Sequence, residues 1–108
     1  MAKGMGDMIK QVQKMQQKLA ELQDELENLT VEGTSGGGMV RVVANGKGEL
    51  TQIKIEPQAV DPNDIEMLED LVLAAVNQAK EKSAELQQER MAKLTGGLNI
   101  PGVPGMPM

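Results

Sequence analysis

The stretch Thr30-Val31-Glu32-Gly33-Thr34-Ser35-Gly36-Gly37-Gly38-Met39-Val40-Arg41-Val42-Val43-Ala44-Asn45-Gly46 interrupts two regions of helical periodicity with one of period two. Thr30 to Thr34 reads as a short strand, and Ser35 to Gly38 as a turn or bulge. Met39 to Ala44 is rich in β-branched residues and runs into Asn45-Gly46, a strong hairpin signal. Beyond the hairpin, Glu49 to Glu56 continues the pattern. Ile53 and Ile55 alternate with Lys54, as in a sheet with one wet face, and Pro57 ends the run. The segment therefore predicts a three-stranded antiparallel meander.

Upstream, apolar residues fall at Met8, Val12, Met15, Leu19, Leu22, Leu26 and Leu29, in alternating steps of four and three. That spacing is an a/d heptad seam, and the intervening Gln, Lys, Glu and Asp are good helix formers. It predicts one long helix over 7–29, with Asp7 placed near the positive end of the dipole. Such a helix is about 35 Å long, more than a small domain covers, so part of the seam is expected to project or to meet another chain.

Downstream, Asp61-Pro62-Asn63-Asp64 punctuates the start of a second helix over about 63–94, with either Asp61 or Asp64 as its N-cap. Its apolar face is Leu68, Leu71, Val72, Ala75, Val76 and Ala79. After Ala79 the apolar content thins, so the second half is read as solvated, projecting or broken from the first. Residues 95–108, rich in Gly, Pro and Met, are expected to form a flexible tail. The fold class is thus α+β in the order α-β-β-β-α, with residues 1–94 as a single domain.

Composition narrows the function. The chain has 108 residues and no Phe, Trp, Tyr, Cys or His. A core without aromatics in so short a chain is thin, which favours an oligomer of paired helices. The absence of His and Cys removes the commonest general base, the thiol nucleophile, structural zinc and every disulfide. The longest apolar stretch, Leu71 to Val76, is far short of a membrane span, and Met1 to Met8 lacks the apolar segment of a signal peptide.

Motifs for chemistry fail on their spacing. Gly33 and Gly38 have the outer spacing of a P-loop, but Met39 and Val40 stand where Lys and Ser or Thr would reach phosphate and Mg²⁺. Asp61 to Asp64 resembles the start of a calcium loop, but Glu66 occupies the glycine position and Val72 the bidentate Glu position. The pair Glu69-Asp70 has no basic partner nearby for acid–base work. No metal site, cofactor or small-molecule substrate is expected, and the chain does not read as an enzyme.

Charge is more informative. The net charge is −5, yet residues 1–20 carry four lysines against one aspartate, a net of +3. Residues 21–32 and 61–79 carry −5 each. Lys10, Lys14 and Lys18 recur every fourth residue along one flank of the first helix. If the two helices pack antiparallel, Arg90 and Lys93 come to the start of the first helix. Lys3, Lys10, Lys14, Lys18, Arg90 and Lys93 are then the candidate DNA-binding residues, gripping phosphates without reading bases. Leu68, Leu71, Val72, Ala75, Val76 and Asn77 are the candidate dimer interface. Asn77 is either a polar residue fixing helix register or an ordinary boundary position.

The chain resembles the YbaB/EbfC family of small bacterial nucleoid-associated proteins over nearly its whole length. The resemblance rests on the heptad helix Met8 to Leu29, Val31-Glu32-Gly33, Gly37-Gly38-Met39-Val40-Arg41-Val42 and Asn45-Gly46. It continues through Ile53-Lys54-Ile55, the stretch Met67-Leu68-Glu69-Asp70-Leu71-Val72 with Ala74-Ala75 and Asn77, and Lys93-Leu94-Thr95-Gly96-Gly97. It implies a homodimer with projecting helices, located in the cytoplasm and nucleoid. It further implies that the dimer binds DNA, alters its conformation and influences gene expression and nucleoid organisation. Two rival expectations remain: a prefoldin-like holdase with Met-rich helix tips, and an adaptor whose acidic segments bind DNA-repair or replication proteins.

Overall fold

The computed structural model of the chain describes the backbone of residues 2–96 and the side chains of residues 5–95. Helix α1 spans Ala2–Asn28, strands β1, β2 and β3 span Thr30–Ser35, Val40–Asn45 and Leu50–Ile55, and helix α2 spans Ile65–Gly96. The strands form one antiparallel sheet in the order β1-β2-β3. The α-β-β-β-α order and the α+β class follow the sequence pattern.

Several boundaries differ from it. Helix α1 runs back through Gly6 and Gly4, so Asp7 lies inside the helix rather than at its start. Helix α2 is unbroken from Ile65 and carries on through Thr95 and Gly96, where the tail was expected to begin. Residues 97–108 of that tail lie outside the described residues. Asp64 is the side-chain N-cap of α2, its Oδ1 accepting from the Met67 amide at 3.2 Å, while Asp61 Oδ1 accepts from the Asn63 amide at 2.9 Å and organises the preceding turn. At the β2–β3 hairpin the positive φ falls on Gly48 (88°) and not on Gly46. Gly46 is required for a different reason: its amide donates to the carbonyl oxygens of Leu26 (2.7 Å) and Leu29 (3.0 Å), closing the C-terminus of α1. A Cβ there would stand 2.7 Å from the Leu26 oxygen.

The core is built from small side chains. Val40, Val42 and Ala44 of β2 meet Ala75 and Ala79 of α2, with Ala59 beside them, all fully buried. Gly33 of β1 pairs with Val42 and lets the α2 backbone lie directly on the sheet. Buried Ser83 donates from Oγ to the Asn45 carbonyl at 2.9 Å, which ties the middle of α2 to the hairpin.

The two sheet edges are treated differently. Helix α2 lies over β1 and β2 and closes the β1 edge with three polar contacts. Ser35 Oγ donates to the Leu71 carbonyl (2.6 Å), the Thr34 amide donates to Gln78 Oε1 (2.6 Å), and Lys82 Nζ donates to the Glu32 carbonyl (2.9 Å). Strand β3 is the other edge, and all six of its residues are exposed. Because Val40, Val42 and Ala44 pair with Ile55, Ile53 and Leu50, those three apolar side chains share the α2 face of the sheet yet remain 39%, 49% and 39% exposed.

Candidate nucleic-acid interface

Helix α1 has two halves of different character. Leu22 and Leu26 are buried against the body, whereas Met5, Met8, Ile9 and Val12 are more than half exposed. The heptad seam is therefore used by the chain itself only in its C-terminal part. The N-terminal part projects, and with α2 it makes the molecule 74 Å long and only 16 Å thick. Lys10, Lys14 and Lys18 are exposed on consecutive turns of α1, a stripe about 12 Å long at 1.5 Å per residue. The Lys3 side chain lies outside the described residues.

The end of α2 does not reach the start of α1. It meets α1 at Leu22, where Lys18, Glu21, Glu25, Arg90 and Lys93 surround a cleft of about 420 Å³ with Leu22 and Leu94 at its base. Arg90 pairs there with Glu25 through Nη1 and Oε1, and Lys93 Nζ lies 3.7 Å from Glu89. The structure thus brings Lys18, Arg90 and Lys93 together and leaves Lys10 and Lys14 further out on the arm. The heptad spacing did not carry this offset, because it depends on where Leu26 docks against the hairpin at Gly46.

The candidate interface residues also separate. Ala75 is fully buried under the sheet, and Leu71 packs on the same core. Leu68, Val72 and Val76 are half-buried on that core too, and with Glu69 and the exposed Leu73 they line a shallow hollow on the opposite flank of α2 from Gln78 and Lys82, hence on the β3 side. Asn77 is exposed, one turn beyond Leu73. The sequence reading did not single out Leu73, 57% exposed, or Gln78 and Ser83, whose contacts cross to strands some forty residues away. On the outer face of the sheet, Arg41 stands opposite Lys54 beside Glu32 and Glu56, a hollow with balanced charge.

A family model of the YbaB/EbfC DNA-binding family matches residues 1–98. The chain belongs to the YbaB/EbfC DNA-binding family. A nucleoid-associated protein of Pelotomaculum thermopropionicum is 54% identical over 103 residues, covering 95% of this chain and 98% of the relative. One of Caldanaerobacter subterraneus subsp. tengcongensis is 59% identical over 97 residues, covering 90% and 87%. The crystal structure of an uncharacterized protein from Helicobacter pylori shares the fold with a TM-score of 0.75 at 24% identity, over 82% of this chain and 94% of that one. In this YbaB/EbfC chain the exposed Lys10, Lys14 and Lys18 sit on the projecting half of α1, apart from the acidic stretches 21–32 and 61–79. Among the described residues, no helix is long and apolar enough to cross a membrane, and no cluster of acidic side chains could hold a metal ion.

Proposed function

We propose that this YbaB/EbfC chain is a non-catalytic nucleoid-associated protein of the cytoplasm that binds DNA as a homodimer, mainly through phosphate contacts. The observation that carries the reading is the exposed Lys10, Lys14 and Lys18 stripe on a helix half that projects away from the acidic body. Lysines on successive turns supply charge without directional base readout, so binding is governed by backbone geometry and by release of counterions. Two such arms held at fixed separation reward DNA whose backbone follows them, which changes DNA conformation and in turn nucleoid organisation and gene expression.

The homodimer is supported by the open β3 edge and the apolar strip beside it. Leu50, Ile53 and Ile55 leave an exposed apolar face on β3, and on α2 the exposed Leu73 borders a shallow hollow lined by the half-buried Leu68, Val72 and Val76 together with Glu69, on a chain with a very thin core. A second copy covers that face and removes the exposed edge at the same time.

Anisotropy of a labelled duplex across a salt series tests the reading. Saturable binding with a steep negative slope of log K against log salt is expected. Lys10→Gln with Lys14→Gln removes four lysines from the dimer and flattens that slope by about 3 to 4. Unchanged affinity in that variant removes these lysines from the interface. The exposed Met5, Met8, Ile9 and Val12 face favours a second reading as a protein-interaction arm. Suppression of client aggregation by a protein without DNA affinity at low salt would decide for it.

A further inference from the structure

The cleft between α1 and α2 gathers three cations and two carboxylates. Helix α1 touches α2 only sparsely, and the Arg90–Glu25 pair is one of the few contacts between them. Arg90 is only part-buried, and its Nε is shielded from solvent with no hydrogen-bond partner among the described residues, so a single carboxylate leaves the guanidinium incompletely used. Arginine's planar fork donates to two oxygens at once, which a phosphate supplies as readily as a carboxylate. Lys18 and Lys93 flank the same cleft. Glu25 thus stands among the cations where a phosphate would stand.

We propose that this cleft is a seat for a DNA backbone phosphate whose occupant in the unbound chain is the Glu25 carboxylate. The proposal rests on the DNA-binding reading above and adds an internal competitor to it. Glu25 neutralises Arg90 until a phosphate displaces it, and Glu21 adds a second negative charge to the cleft lining. Contact at the cleft therefore requires an exchange of anions, whereas contact at Lys10 and Lys14, further along the arm, does not. The exchange weakens binding to scattered phosphates and favours DNA that engages the arm and the cleft together.

The test is a gain of function in the full-length chain. Glu25→Gln keeps the side chain's size and removes the competing charge. It is expected to bind a labelled duplex about fivefold to tenfold more tightly at low salt, with a slope steeper by about 2 for the dimer, one phosphate per protomer. Glu27→Gln removes an equal charge from the same helix without releasing Arg90 and is expected to give a much smaller gain. Glu25→Gln combined with Arg90→Gln is expected to lose the gain. Equal effects from Glu25→Gln and Glu27→Gln overturn the proposal in favour of bulk charge. A lower melting temperature for Glu25→Gln with no gain in affinity overturns it in favour of a structural strut. If the wild type and Glu25→Gln both fail to bind at low salt, the DNA reading itself falls and takes the proposal with it.

Discussion

Gly33 sets how closely α2 approaches the sheet. A Cβ at this position would lie 2.1 Å from the Ala75 carbonyl oxygen and 2.6 Å from the Ala79 nitrogen, both backbone atoms of the helix. Neither can turn aside, so Gly33→Ala must lift the helix from β1 and loosen the alanines and valines packed beneath it. It is expected to cost about 3 kcal/mol, an overpacking effect at the upper end of the usual range. Ser83→Ala is the useful contrast, because it removes the buried hydrogen bond to Asn45 and a long one accepted from Gln87 Nε2 at 3.5 Å, and leaves the packing in place. The Asn45 carbonyl keeps a second donor, the Gly48 amide at 3.0 Å, so the loss is expected to be only about 1 kcal/mol. Denaturant unfolding of the two variants at one protein concentration checks the order. A Gly33→Ala protein as stable as Ser83→Ala would mean that the helix–sheet spacing is soft. Neither role was visible in the sequence. Gly33 read as a strand residue with the outer spacing of a failed P-loop, and Ser83 was not singled out, because both roles are defined by partners far away in the chain.

At the scale of elements, periodicity carried the architecture well. The heptad seam, the alternation around Ile53 and Ile55, and the Asn45-Gly46 punctuation each reflect a local rule, and the helices and strands they predict are present. What periodicity did not distinguish was which apolar face a single chain consumes and which it leaves open. Leu71, Val72 and Val76 all pack on the core beside Ala75, but Val72 and Val76 also line the open hollow next to the exposed Leu73. The division depends on α2 closing the β1 edge through Gln78 and Lys82, which leaves β3 uncovered. It also separates two kinds of variant. Leu73, 57% exposed, and Ile53, 49% exposed, lie outside the buried core, so charging them spares the folded protomer. Leu73→Asp with Ile53→Glu is expected to sediment as a monomer with the wild-type helical circular dichroism. A dimer that persists in this variant would place the contact between copies elsewhere, with the projecting half of α1 as the next surface to test.

On the reading proposed above, the whole molecule is an acidic body with basic arms, and its affinity for DNA is expected to depend on how many arms act together. One protomer presents Lys10, Lys14 and Lys18, so a dimer presents six such lysines and an expected slope of about −5 in log K against log salt from these residues alone. Single arms carrying three contacts bind weakly at physiological salt, because each contact is a screened interaction that salt competes away. Linking two arms through a rigid dimer makes the second engagement intramolecular. That raises overall affinity by about 10² to 10⁴ without any new contact. The monomeric Leu73→Asp, Ile53→Glu variant therefore serves a second purpose, since it keeps every lysine of the stripe. It is expected to bind the same duplex with roughly half the slope and at least about a hundredfold more weakly at moderate salt. Because the variant adds two negative charges per protomer, a single-chain control with the equivalent charges at Glu-rich exposed positions separates bulk repulsion from lost avidity. A monomer that retained both the wild-type slope and the wild-type affinity would show that one arm saturates the DNA contact, and the pairing of chains would then serve only to complete the thin core.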